Sequence, residues 1–240
     1  SEQVSLDDNF FELGGNSLDL MKFFRLYLKQ FGKQINLSEL FQNTTPESHA
    51  KLLGGDLTAF TIKPVQEAPA YTLSFGQKRL WILSQQDGVS QVYNMPNLIE
   101  INDQIDADIL NQAIGETIKR HEILRTVFIS NELGEPLQKI LPTEKVSFKL
   151  EFVDYSTHTD KSELTQKYVD EDTFKPFDLE NGPLIRATLF KHSNDVFYLY
   201  LNMHHIVSDG WSMQILTTDI STIYRGLLNE QTPELAELSF

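Results

Sequence analysis

The chain has 240 residues, with 20 Lys and Arg against 34 Asp and Glu, for a formal net charge of −14 at pH 7. That balance excludes a partner held by phosphate neutralisation, so nucleic acid is set aside. Cysteine is absent, which excludes disulfides, a catalytic thiol and thiolate metal sites, and any thioester chemistry must use a thiol from elsewhere. No apolar run approaches the ~20 residues of a membrane span, and the first residues lack the basic-then-apolar order of a signal peptide. The expectation is a cytoplasmic chain with no membrane partner.

In chain order, "NSLDLMKFFRLYLKQFG" opens on the cap-type residues Asn16 and Ser17, carries apolar side chains through Leu28 and stops at Gly32, which predicts a helix. "LSELFQN" and "TPESHAKLL" predict two short helices, the second with Pro46 just inside its start. Fewer than 60 residues with three helices bury little core, so residues 1–57 read as a partial helix bundle that lacks its first helix. The segment "GGDLTAFTIKPVQEAPA" has neither helical nor alternating periodicity and places a linker over about 58–70.

From residue 71 the periodicity alternates. "SFGQKRLWILSQQ" predicts a helix capped by Ser74, "NLIEI" a strand, and "DADILNQAIGETIKRHEIL" a long amphipathic helix with Ala107, Leu110, Ile114 and Ile118 on one face. "RTVFIS" and "PLQKIL" form a hairpin about Gly134, "VSFKLEFV" alternates as a strand, and "LIRATLFK" pairs with "VFYLYLNMHH" across a Ser-Asn-Asp turn. A last helix runs from about Gly210 to Leu228. The expectation is an α+β unit with a mixed sheet and helices on one face.

Three stretches bear on chemistry. In "DNFFELGGNSL", Ser17 follows two glycines at a helix start, where unpaired N–H groups and the helix dipole favour a phosphate. The same serine also suits an ordinary N-cap. In "MHHIVSDGWS", His204 and His205 are neighbours on a strand and point to opposite faces, so they do not ligate one metal together. No metal site is expected. His204 reads as a hydrogen-bonded structural group. His205 stands before Asp209 and Gly210 at a turn into a helix, which suits a general base near its reference pKa of ~6.5. Asp209 either pairs with His205 or is locked by an arginine, and "RHEILRTVF" supplies Arg120 and Arg125, which taken alone read more often as solvated surface charges than as buried clamps.

Taken whole, "DNFFELGGNSL" resembles the modification motif of the peptidyl carrier domains of nonribosomal peptide synthetases, with Asn16 where that family has His or Asp. "LSFGQKRLW", "RHEILRTVF" and "MHHIVSDGWS" resemble, in order, the first three core motifs of the condensation domains of the same synthetases, relatives of chloramphenicol acetyltransferase; Gly76 stands where alanine is common. The resemblance implies an all-α partial carrier bundle followed, over 71–240, by the N-terminal lobe of a chloramphenicol acetyltransferase-like condensation domain. It implies that Ser17 carries 4'-phosphopantetheine and presents an aminoacyl or peptidyl thioester. His205 is then the functional histidine of amide formation, Gly210 shapes the site of attack, and His204 is structural. Asp209 is the structural acid paired with Arg120 or Arg125. The implied partners are a phosphopantetheinyl transferase and the adenylation and acceptor carrier domains of the assembly line. An epimerisation domain of the same superfamily and a noncatalytic carrier-docking module are the alternatives.

Overall fold

The computed structural model describes residues 4–33, 35–54, 65–86 and 88–238, with the backbone alone for Leu18 and Leu37. The chain divides into two compact units, Ser1–Gln66 and Glu67–Phe240. Most of the linker expected over 58–70 lies outside the described residues.

Among the described residues, the first unit holds three helices, α1 (Ser17–Phe31), α2 (Leu37–Gln42) and α3 (Pro46–Gly54). Their apolar faces close on the buried trio Leu20, Ile35 and Leu40, with Phe10, Phe23, Tyr27 and Leu52 packed around it. α1 ends where Gly32 takes φ +62°, a left-handed conformation that glycine adopts without strain. Pro46 is the first residue of α3, where its missing N–H and fixed φ do no harm.

Among the described residues, the second unit contains two sheets. The smaller has the order β1–β4–β3, with β1 at Tyr71–Thr72, β3 at Thr126–Ser130 and β4 at Pro136–Ile140; β3 and β4 form the expected hairpin. The larger has the order β2–β7–β6–β5, with β2 at Asn94–Ile101, β5 at Glu151–Asp154, β6 at Ile185–Lys191 and β7 at Phe197–His204. The β5–β6 pair is parallel and the other pairs are antiparallel, so this sheet is mixed.

α4 (Phe75–Ser84) starts with a capping box between Ser74 and Gln77. α5 (Ala107–Arg120) is capped by Asp106 and buries Leu110, Ala113, Ile114, Thr117 and Ile118. It stops before the expected 124 because His121 is extended (φ −96°, ψ 105°) and Glu122–Arg125 forms a 3-10 turn. α7 (Gly210–Leu228) packs beside α5, and both cover the sheet face formed by Leu199, Leu201, Met203, Ile185 and Leu189.

The expectation of helices on one face is corrected by α6 (Lys161–Thr173), which covers the other. Tyr168 packs edge-on against Phe190 at 5.1 Å and Tyr200 at 6.3 Å. Asp172 takes Arg186 Nε at 3.1 Å and Asn202 Nδ2 at 3.0 Å. The alternate positions of β6 and β7 thus bury bulky or polar groups on both faces, while the polar sequence "KSELTQKYVDEDT" shows no apolar stripe. The strand expected over 146–153 is also shorter. Only Glu151–Asp154 pairs with β6; Leu150 turns into the core, its N–H held 2.8 Å from Asn111 Oδ1.

Candidate active site and attachment site

In the first unit, the loop before α1 is built on Phe10. Its N–H donates to Thr44 O at 2.8 Å and its carbonyl accepts Gly15 N–H at 3.0 Å. Its ring meets Phe23 edge-on at 5.3 Å and occupies the space where a Cβ on Gly15 would sit. Gly14 has φ +89°. The loop therefore needs glycine at both positions, for conformation at one and for close approach at the other. The helix cap is Asn16, not Ser17: Asn16 Oδ1 accepts Asp19 N–H at 3.1 Å and Asn16 O accepts Leu20 N–H at 3.1 Å. Ser17 is exposed in the first turn of a 15-residue helix. An accessible hydroxyl at the positive end of a helix dipole, beside two glycines, fits a phosphodiester such as that of 4'-phosphopantetheine.

In the second unit, the two adjacent histidines have opposite environments. His204 ends β7 opposite Asn94 and is fully buried. Its Nδ1 accepts the Ile206 N–H at 3.1 Å, so the neutral ring carries its proton on Nε2, 3.5 Å from Ser90 Oγ. Burial pulls its pKa down to about 4, which keeps it neutral at physiological pH. His205 lies in the turn that follows and is exposed. Its backbone N–H donates to Tyr93 O at 2.8 Å, and its Nδ1 stands 2.6 Å from the Ser208 carbonyl oxygen. A carbonyl only accepts, so Nδ1 carries the hydrogen. In the neutral ring Nε2 is then a bare acceptor at the surface.

Asp209 follows as the N-cap of α7. Its Oδ1 accepts Ser212 N–H at 2.7 Å and Ser212 Oγ–H at 2.6 Å. The Ser212 hydroxyl bond holds its carboxyl below the usual range against burial, the next largest influence, which raises it; the Ser212 N–H and the charge of His205 lower it further. The pairing expected with Arg120 or Arg125 is corrected here. Arg120 Nε lies 3.1 Å from Asp219 Oδ2, which also accepts from His121 Nε2 at 2.7 Å, and Arg120 Nη2 reaches Ala236 O. Arg125 donates to Leu141 O at 2.7 Å and to Glu122 Oε1 at 2.9 Å. The physical reason is local: an extended residue at a helix start (φ −143°, ψ −179°) turns its carboxylate onto the helix's own third N–H, and each arginine has a nearer acceptor. Both arginines remain structural, tying α5 to α7 and the 3-10 turn to the end of β4. Asp219 is the residue that sequence reasoning missed, because nothing at position 219 marks it as the partner of Arg120, 99 positions earlier.

Gly210 is the first residue of α7 with ordinary negative φ, so it is not needed for a tight turn. A Cβ there would meet nothing within 4 Å. What glycine leaves at this position is open space beside the helix start.

The Condensation domain family model matches residues 67–240, and the model described as Phosphopantetheine attachment site matches residues 1–53. The chain belongs to the condensation domain family, preceded by a phosphopantetheine attachment region. It is 36% identical over 238 residues to gramicidin S synthase 2 of Aneurinibacillus migulanus, covering 98% of this chain and 5% of that protein. It is 34% identical over 242 residues to malpinin synthetase of Mortierella alpina, covering 99% and 3%. The chain thus spans less than a tenth of either relative. Among solved structures it is similar to the first condensation domain of the calcium-dependent antibiotic synthetase in complex with a substrate analogue (TM-score 0.66, 26% identity, 71% of this chain, 40% of that one). It is also similar to the starter condensation domain of rhizomide synthetase (TM-score 0.65, 25% identity, 72% and 42%). The alternative of an epimerisation domain is not favoured by these matches. Among the described residues no helix is long and apolar enough to cross a membrane.

Proposed function

We propose that the chain is an internal piece of a nonribosomal peptide synthetase, with a carrier over 1–57, a linker over 58–70 and the N-terminal lobe of a condensation domain over 71–240. Ser17 is the attachment point, and the 4'-phosphopantetheine it holds supplies the thiol that carries an aminoacyl or peptidyl group. His205 acts on the amine of the acceptor. Its Nε2 takes or orients a proton of the α-amine as the C–N bond of the amide forms and the C–S bond of the thioester breaks; the proton passes to the leaving sulfur. Nδ1–H stays on Ser208 O throughout, so the ring does not rotate away. Asp209, within electrostatic reach of His205, favours the imidazolium while it exists. Gly210 leaves the approach to the α7 start clear, and His204 supports the turn.

The observation that carries this reading is the exposed His205 ring with Nδ1 fixed and Nε2 bare. The partners that follow are a phosphopantetheinyl transferase, an adenylation domain that charges the carrier, and an acceptor carrier domain. The compartment is the cytoplasm. The test is single-turnover amide formation in the complete synthetase between a loaded Ser17 carrier and a loaded acceptor carrier. Binding of both carriers with no product from the parent protein would instead make this unit a docking module.

A further inference from the structure

Among the described residues β2 is an edge strand, paired with β7 on one side and with no strand on the other. Its first residue, Asn94, is the register partner of His204. The residue before it supplies the Tyr93 carbonyl, which accepts the His205 N–H at 2.8 Å. The last rung between these two segments therefore holds the backbone of His205. The terminal rungs of an edge strand have one neighbour to keep them closed and open most readily. Here a side chain adds a second hold. Asn94 is buried, and its Nδ2 donates to two carbonyls at the end of α6, Thr173 O at 2.7 Å and Lys175 O at 2.8 Å. A carbonyl only accepts, so the nitrogen of the amide is the atom that faces them. Its Oδ1 meets no partner among the described residues, which leaves those two bonds as the polar contact of the side chain.

The end of α6 does not depend on Asn94 for its own place. Arg186 Nη2 donates to Asp172 O and to Lys175 O, each at 3.0 Å, and Asn202 Nδ2 donates to Asp172 O at 3.3 Å. Those side chains come from β6 and β7, the two strands inside the sheet. The helix end is thus a fixed point, and Asn94 ties the free edge to it. Loss of the tie loosens the strand end and not the helix. We propose that Asn94 is a positioning residue for the amide-forming reaction: by tying the start of β2 to the end of α6 it fixes the Tyr93 carbonyl, and through it the backbone from which the His205 ring reaches Ser208 O. This inference rests on the reading of His205 given above.

The experiment follows residue-resolved hydrogen exchange and single-turnover transfer in the complete synthetase, for the parent, Asn94→Asp, Asn94→Ala and His205→Ala. Asn94→Asp keeps the shape and loses the donor, while Asn94→Ala removes the donor without adding a charge. In both, the His205 amide is expected to lose exchange protection. The amides of Leu199 and Leu201, in the middle of β7 with a strand on each side, are expected to keep theirs. Transfer is expected to slow about 10- to 100-fold, the scale of a misplacement of up to 1 Å, with KM for the acceptor unchanged. Three results for Asn94→Ala overturn the positioning role: transfer at the parent rate, slow transfer with the His205 amide still protected, or loss of protection at Leu199 and Leu201 as well, which makes Asn94 a residue of the fold. In each of these the reading of His205 stands while His205→Ala is slow. If His205→Ala transfers at the parent rate, that reading fails and this inference with it.

Discussion

His205 Nδ1 stands 2.6 Å from the carbonyl oxygen of Ser208, three residues along the same turn. That short bond does the orienting that a separate carboxylate does in other histidine sites: it selects the tautomer, stops ring rotation and turns Nε2 outward. Asp209 is left for a different task, capping α7 through Ser212.

The first expectation follows from this division between the histidines. His205→Ala is expected to lower single-turnover amide formation by ~10² to 10⁴, the usual range for general-base assistance. His204→Asn, whose side-chain oxygen can still accept from Ile206 N–H, is expected to retain most of the transfer rate. Near-parent turnover by His205→Ala would remove the histidine from the mechanism.

Burial of His204 also predicts an acid-sensitive fold. Its pKa falls from 6.5 to about 4 on folding. The unfolded chain therefore binds a proton that the folded one refuses between those values, and stability rises with pH across this window. It is fully present above pH 6.5 and is lost as pH falls toward 4, by about 3 kcal/mol for a shift of this size. The buried His192 is shifted in the same direction and adds to the trend. Urea melts at about pH 7 and about pH 4 should show the loss, and His204→Asn should reduce it. An equal acid loss in that variant would mean that other groups dominate.

The reassignment of Asp209 makes a quantitative contrast with Asp219. Asp209→Ala loses an N-cap and is expected to destabilise by about 1 kcal/mol. Asp219→Ala leaves Arg120 and His121 without their shared acceptor in a mostly buried setting and is expected to cost ~3 kcal/mol. Thermal melts of the two variants rank them. A larger loss for Asp209→Ala would restore the buried arginine pair that the sequence suggested.

At the start of α1 the cap and the attachment point separate. Asn16→Ala is expected to lower the stability of the carrier unit by about 1 kcal/mol. Ser17→Ala should leave stability near the parent value and abolish loading, read by intact mass after incubation with a phosphopantetheinyl transferase and coenzyme A. Equal loading of Ser17→Ala would place the arm elsewhere.

Much of this protein was legible in one dimension because its signals are local. The period of Leu110, Ile114 and Ile118, the cap at Ser74, and the glycines before Ser17 each depend on residues within one or two turns of each other. So do the strand ending in His204 and the helix that begins at Gly210. The alternation rule separated the two histidines onto opposite faces of one strand, but in the structure β7 ends at His204, which is buried, and His205 is exposed because it lies in the turn that follows. Long-range pairing was not legible in the same way. The partner of Asp209 proved to be three residues away and the partners of Asp219 almost a hundred, and nothing in the spacing distinguished the two acids. α6 was hidden because a helix lying on the polar and aromatic face of a sheet, held by Tyr168 and Asp172, needs no apolar stripe. The tautomers of the histidines were decided last of all: they depend on the Ile206 N–H and the Ser208 carbonyl meeting the rings within hydrogen-bond distance, a condition that exists only once β7 and the turn between β7 and α7 are assembled.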